Sequence, residues 1–226
     1  MSLFRCARLR YITASAARLA DNDMAKSIHP PTPSADSHHP PTHSTTPPLA
    51  ADDSLPAGVE LRRLTSHDDA RGSFTEVFRE SWGVGVKPLQ WNFVETRANV
   101  LRGVHFHLRH ADYLIVLKGR ASIGLCDLRR GSPTAGRAAL VEMCGDALTA
   151  LTLPPGIAHG FYFHEPSLHA YAVSRYWNVL DEKGCRWDDP ALGIRWPADA
   201  PVISERDAAL PPLRDAVDGL PLWRPT

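Results

Sequence analysis

Residues 101–127 read LRGVHFHLRHADYLIVLKGRASIGLCD, and this stretch decides the fold. Three runs rich in branched and aromatic residues, 101–107, 113–118 and 121–127, are separated by short polar turns, the second of them at Lys118-Gly119. Successive side chains of a strand point to opposite faces. In 101–107 this puts Gly103, His105 and His107 on one face and Val104 and Phe106 on the other. Two imidazoles opposite two apolar groups describe a strand with one face in a core and the other lining a polar cavity.

The same texture continues on both sides. Further strands are expected at 59–64, 73–78, 89–96, 138–143, 148–153, 160–164 and 168–176, punctuated by turn signals such as Arg130-Gly131-Ser132-Pro133 and Pro154-Pro155-Gly156. Ten short strands with no amphipathic helix between them predict an all-β sandwich or barrel. From Glu182 onward Asp, Pro and Trp dominate, which reads as ordered loops and short turns laid over the barrel. In 168–176, alternation groups His169, Tyr171, Val173 and Arg175, with Trp177 continuing the face, and His159 follows the turn at 154–156. A barrel holding His105, His107, His159, Tyr171 and a few arginines is a plausible reaction vessel.

The flanks differ. Residues 27–54 are dominated by Pro, Ser, Thr, His and Ala and cannot bury enough apolar surface to offset the entropy of ordering them, so 1–54 is expected to be a disordered tail. Its His29, His38, His39 and His43 offer at most loose metal binding. Residues 1–20 carry Arg5, Arg8, Arg10 and Arg18 and no acid, as an organellar transit peptide or an over-extended start would. The folded domain is expected at 55–215, with a C-terminal tail at 216–226.

Composition narrows the function. The chain has 25 Lys and Arg against 25 Asp and Glu, so no broad field attracts nucleic acid or an anionic membrane. No apolar run approaches the roughly 18 residues that span a bilayer. Cys6, Cys126, Cys144 and Cys185 form no CxxC pair, which argues for reduced thiols in the cytoplasm.

The polar face has two readings. His105-x-His107, Asp112 and Gly119, followed by Pro154-x-Gly156-x-x-His159, resembles the two-part signature of the cupin superfamily, in which two His, an acid and a last His converge on a divalent metal. His105, His107, Asp112 and His159 would then be ligands, a set suited to Fe, Mn, Zn or Ni. Asp stands where that signature usually has Glu, and the Gly opening each half is absent from its place.

A longer series of motifs supports the second reading. It runs Asp69-x-Arg71-Gly72-x-Phe74-x-Glu76, Gln90-x-Asn92, Leu101-Arg102-Gly103-Val104-His105, Asp127-Leu128-Arg129-Arg130-Gly131-Ser132-Pro133-Thr134 and Gly156-x-Ala158-His159-Gly160-Phe161. It closes with Tyr171, Gly184-x-x-Trp187-x-Asp189-Pro190-x-Leu192-Gly193-Ile194-x-Trp196-Pro197 and Ser204-x-x-Asp207. In this order and spacing, over about 59–213, the chain resembles the dTDP-4-dehydrorhamnose 3,5-epimerase family, cupin-fold enzymes that work without a metal.

The resemblance implies a cupin-type β-barrel or jelly roll with short C-terminal helices or turns. It also implies an epimerase that inverts C3, C5 or both of a nucleotide-linked 4-keto-6-deoxy sugar, dTDP-linked in the family, without a cofactor. By position His105 matches the base, Asp207 the carboxylate that orients it, and Tyr171 the acid on the far face. Arg102 matches a pyrophosphate contact, and Gln90, Asn92 and His159 match pocket residues. Arg71, Phe74 and Glu76 match a strand that crosses to a partner subunit, which implies a homodimer with exchanged N-terminal strands.

Three positions depart from the family pattern. His107 stands for a Gln, Asp112 for a Lys that steadies the enolate, and Trp177 for a second pocket Tyr. One donor at a developing oxyanion is worth about 3–4 kcal/mol. Loss of that lysine therefore needs compensation by His107, another cation or a metal, or else a different substrate. His107 and Asp112 are also the substitutions that restore the metal-type pattern.

Overall fold

The computed structural model describes residues 54–224; the remainder of the tail expected at 1–54 lies outside the described residues. Sheet one has the order β1 (Glu60–Arg63), β9 (Thr149–Leu153), β6 (Asp112–Lys118), β11 (Ser167–Val173) and β4 (Gln90–Thr96). Sheet two has the order β12 (Glu182–Gly184), β5 (Val100–His107), β10 (Ile157–Phe163), β7 (Arg120–Asp127) and β8 (Ala138–Cys144). A hairpin of β2 (Ser66–Asp69) and β3 (Gly72–Thr75) stands apart from both. Every paired strand within these sheets is antiparallel, giving the expected all-β jelly-roll barrel.

Alternation fills three layers. Leu114 and Val116 of β6, Ile123 and Leu125 of β7, and Leu151 and Leu153 of β9 meet between the sheets. The intervening Tyr113, Ile115 and Ala150 face out from sheet one and are covered by Val84, Val86 and Phe78. Val104 and Phe106 of β5 face out from sheet two, under Cys185, Leu192, Leu213 and Leu220. The C-terminal segment is thus laid over the barrel, as its composition suggests, with two four-residue helices, α1 (Glu205–Ala208) and α2 (Leu213–Ala216). The chain stays on the barrel past residue 216, since Leu220 is buried and the Trp223 N–H donates to the Arg130 carbonyl at 3.0 Å.

Each of the ten expected strands is present, three of them with one end displaced by three residues and the other ends within one residue. The strand expected at 73–78 stops at Thr75, and Phe78 turns in to pack edge-on against Trp91 and Tyr113. The strand expected at 160–164 begins at Ile157, which puts His159 inside it. The strand expected at 168–176 stops at Val173, because its partner β6 begins at the opposite residue, Asp112. Two strands were not expected: β2 is wholly polar and β12 has three residues, so neither carries an alternation to read.

The Asp127–Thr134 motif is structural. The buried Asp127 carboxylate accepts from Arg129 Nε and Nη2 at 2.8 Å each and from Ser132 Oγ and Thr134 Oγ1 at 2.6 Å each, fixing the turn after β7. Cys126, Cys144 and Cys185 are buried free thiols. Among the described residues no helix is long and apolar enough to cross a membrane.

Candidate active site

A cavity of about 250 Å3 opens where the apolar layer between the sheets ends, with Leu114 and Leu153 belonging to both. Its first wall is β5. Strict alternation would turn Arg102 away from His105, yet both line the cavity. Gly103 makes this fit: it lies at φ 116°, and a Cβ there would come within 2.9 Å of the Gly160 Cα and the His159 carbonyl.

The other end of the chain completes this wall. Ser204 caps α1, its Oγ accepting from the Asp207 N–H at 3.1 Å. Asp207 is thereby brought within 2.8 Å of His105 Nε2 by its Oδ1, while its Oδ2 accepts from the Gly103 N–H at 3.2 Å. Burial alone would raise the Asp207 pKa, but hydrogen bonds and charge from His105, with the Gly103 and Ser204 contacts, hold it below the usual carboxylate range. An ionised carboxylate only accepts, so His105 Nε2 carries the proton and Nδ1 the lone pair. Glu182 Oε1 lies 3.8 Å from that Nδ1, so an imidazolium formed there sits between two carboxylates.

Tyr171 lines the facing wall, on β11 of sheet one, along with His169 and Val173. Burial and the nearby Glu182 and Asp112 raise its pKa, against Arg102, so the phenol keeps its proton at neutral pH. Gln90 and Asn92 share the inward face of β4 with the cavity-lining Val94, and Gln90 Nε2 donates to Asn92 Oδ1 at 3.1 Å. Trp177 lies beyond the end of β11 but still lines the cavity, its backbone N–H donating to Gln90 Oε1 at 3.1 Å and its indole N–H to Glu182 Oε2 at 2.9 Å.

His159 and His107 stand deeper. His159 Nδ1 lies 3.0 Å from the Ile157 carbonyl, which only accepts, so Nε2 bears its lone pair. Burial brings its pKa to about 4, opposed by that bond and reinforced by the charge of His105 and His110. Burial, then His159, His110 and His105, lowers that of His107 as well. His107 is therefore neutral and does not replace the cation that Asp112 displaces. Arg102 and Arg206 line the same cavity and are charged.

Of the candidate metal ligands, His107 and Asp112 do come together, and His110 joins them: one ligand atom from each lies within 4.8 Å of the others. His105 and His159 are not part of that compact group, His105 being held by Asp207. His110, Asp181, Glu182 and Arg206 had not been singled out from sequence. His110 sits in the turn between β5 and β6, and Glu182 faces His107 across a strand too short to show a pattern.

Arg71, Phe74 and Glu76 are placed elsewhere. Arg71 pairs with Asp69 at the exposed tip of the β2–β3 hairpin, Phe74 is 60% exposed, and Glu76 pairs with Arg79. None of the three lines the cavity of its own chain.

The family model described as dTDP-4-dehydrorhamnose 3,5-epimerase matches residues 56–215. The chain belongs to this family. It is 34% identical over 169 residues to the dTDP-4-dehydrorhamnose 3,5-epimerase of Sinorhizobium fredii, covering 70% of this chain and 86% of that one. Among solved structures it resembles the dTDP-6-deoxy-D-glucose-3,5-epimerase of Legionella pneumophila in complex with dTDP-4-keto-L-rhamnose. That match has a TM-score of 0.69 and 29% identity over 74% of this chain and 95% of that one. It also resembles ChmJ, a 3'-monoepimerase from Streptomyces bikiniensis, in complex with dTDP-quinovose. The TM-score is again 0.69, with 30% identity over 78% of this chain and 92% of that one. The solved structures that the chain resembles thus include one described as a 3,5-epimerase and one described as a 3'-monoepimerase.

Proposed function

We propose that the chain is an epimerase of a nucleotide-linked 4-keto-6-deoxy sugar, inverting C3, C5 or both through an enolate. The observation that carries this reading is the His105–Asp207 pair on one wall of the cavity with Tyr171 on the facing wall. His105 Nδ1 takes the proton from a carbon beside the C4 ketone, and the electron pair moves onto the ketone oxygen. Tyr171 then returns a proton to the other face of the same carbon, and the hydroxyl regains its proton from His105 through solvent. Arg102 and Arg206 supply positive charge to the cavity in which the oxyanion forms.

The cavity, about 250 Å3, lies below the range of about 300–1,000 Å3 usual for a whole drug-sized ligand. It suits the sugar ring, leaving the nucleotide at the mouth, where the exposed Arg102 is a fitting partner for a pyrophosphate. The complexes of the relatives favour dTDP as the carrier. The three buried thiols support a reducing, cytoplasmic setting.

The chain acts as a homodimer in this reading. The edge strand β4 exposes Trp91 at 40% and Phe93 at 69%, and Phe74 of the hairpin is equally bare. Such apolar surface on an unpaired edge is normally covered. A partner's hairpin would bring its own arginine and phenylalanine to the mouth of the cavity, which explains why these residues are absent from the cavity of their own chain.

The test is a reaction in D2O with dTDP-4-keto-6-deoxyglucose, followed by NMR. Deuterium entering C3 or C5 with inversion supports the reading and shows which centres react. No exchange with this sugar or its UDP, GDP and CDP counterparts would leave a cavity that binds without turnover.

A further inference from the structure

The proton transfer leaves one buried carboxyl group of the cavity without a partner. Asp112, at the start of β6, has the inward parity of Leu114 and Val116, lines the cavity and is 7% exposed. It stands opposite Val173 of β11, two residues from Tyr171. His107 Nε2 lies 3.6 Å from its Oδ2 and His110 Nε2 lies 3.8 Å from its Oδ1. Both separations are too long for hydrogen bonds. Among the described residues no lysine or arginine pairs with it.

The neighbours add negative charge. Glu182 spans from the base to His107, with Oε1 3.8 Å from His105 Nδ1 and Oε2 3.9 Å from His107 Nδ1. Asp181 Oδ2 engages His110 Nδ1 at 2.9 Å. His107 is itself neutral, and its buried Nδ1 has no hydrogen-bond partner. Arg206 pairs with Glu182, at 3.5 Å, and leaves Asp112 uncompensated. Burial, then Glu182 and Asp181, push the Asp112 pKa well above the usual carboxylate range, so this group stays ionised only beside a positive charge. A buried acceptor without a donor is costly, and a ligand in this cavity can bring the donor.

We propose that the nucleotide-linked sugar carries a protonated amine in place of a ring hydroxyl, and that Asp112, with Glu182 beside it, holds that ammonium group. The substrate class rests on the epimerase reading. A 4-keto-6-deoxyhexose linked through C1 has ring hydroxyls at C2 and C3 only, so the amine belongs on one of those carbons. An ammonium brings three donors and a full charge, whereas a hydroxyl brings one donor and none. Its charge would also lie in the cavity where the ketone oxygen turns negative. The sugar then supplies the cation that is missing from the chain where Asp112 stands for a lysine.

The test is calorimetric titration of the full-length chain at pH 7 with dTDP-6-deoxyglucose and with its 2-amino and 3-amino derivatives. One amino sugar should bind at least about 10-fold more tightly than the hydroxyl sugar. N-acetylation of that amine, which removes the charge, should abolish the advantage. Asp112→Asn should bring the ratio near one, and Asp112→Lys should reverse it. The proposal is overturned if neither amino sugar binds more tightly, or if the preference survives acetylation or both substitutions. A preference for the amine with no deuterium exchange from the 4-keto form of either sugar would keep this site and overturn the epimerase reading. Exchange with no preference for the amine would do the reverse.

Discussion

With Asp207 accepting from Nε2, His105 keeps its lone pair on Nδ1, and Glu182 adds a second carboxylate beside the imidazolium that forms. The face of β5 that holds His105 and His107 was legible in the alternation of 101–107, as was that of Tyr171 in its strand. Glu182 was not, because a three-residue strand has no period. The roles of the facing groups separate experimentally. Tyr171→Phe should still let His105 exchange a proton and return it on the same face, so deuterium wash-in should persist in NMR while inversion falls at least about 100-fold. A second consequence concerns His169, 2% exposed, with a buried Nδ1 that lacks a hydrogen-bond partner and a ring stacked on Phe163. Burial, then the charge of Arg102, lowers its pKa from 6.5 to about 4. Between those values the unfolded chain binds the proton and the folded one does not, so stability should rise with pH through that window, by about 3 kcal/mol from this group. His169→Phe should remove that part of the slope in urea unfolding measured at a series of pH values. An unchanged slope would mean that His169 is not held neutral.

At the scale of elements, the site depends on two places where backbone passes close to other groups. Gly103 breaks the alternation of β5 so that Arg102 and His105 face one cavity, a departure that no reading of period two anticipates. Gly124 of β7 lies under Trp196, where a Cβ would come within 2.5 Å of the indole ring. Trp196 is held there by its N–H, which donates to the Trp187 carbonyl at 2.9 Å. The C-terminal segment that brings Asp207 to His105 packs on this face of sheet two. Gly124→Ala should therefore cost about 1–3 kcal/mol in urea unfolding through overpacking. A neutral result would mean that the segment shifts freely, and His105 would lose its fixed partner. The ten strands were readable because each carries turn signals at its ends. The β2–β3 hairpin was only half readable, because β2 is polar on both faces and pairs, among the described strands, with β3 alone.

For the molecule as a whole, the exposed apolar surface of β4 and the hairpin predicts a second copy that covers it. Trp91 and Phe93 are exposed on the edge strand β4, and Phe74 is exposed on the hairpin. Light scattering should give twice the chain mass for the wild type, and Phe93→Glu should shift it toward a monomer with weakened dTDP binding. A monomeric wild type would contradict the shared-site reading. In the proposed reaction His105, backed by Asp207, removes a proton from the sugar. This step is tested most directly by measuring deuterium exchange and nucleotide-sugar affinity together in His105→Ala and Asp207→Asn. Exchange should fall at least about 100-fold in each while Kd changes little. Exchange preserved in His105→Ala, or lost only in proportion to affinity, would show that the base lies elsewhere.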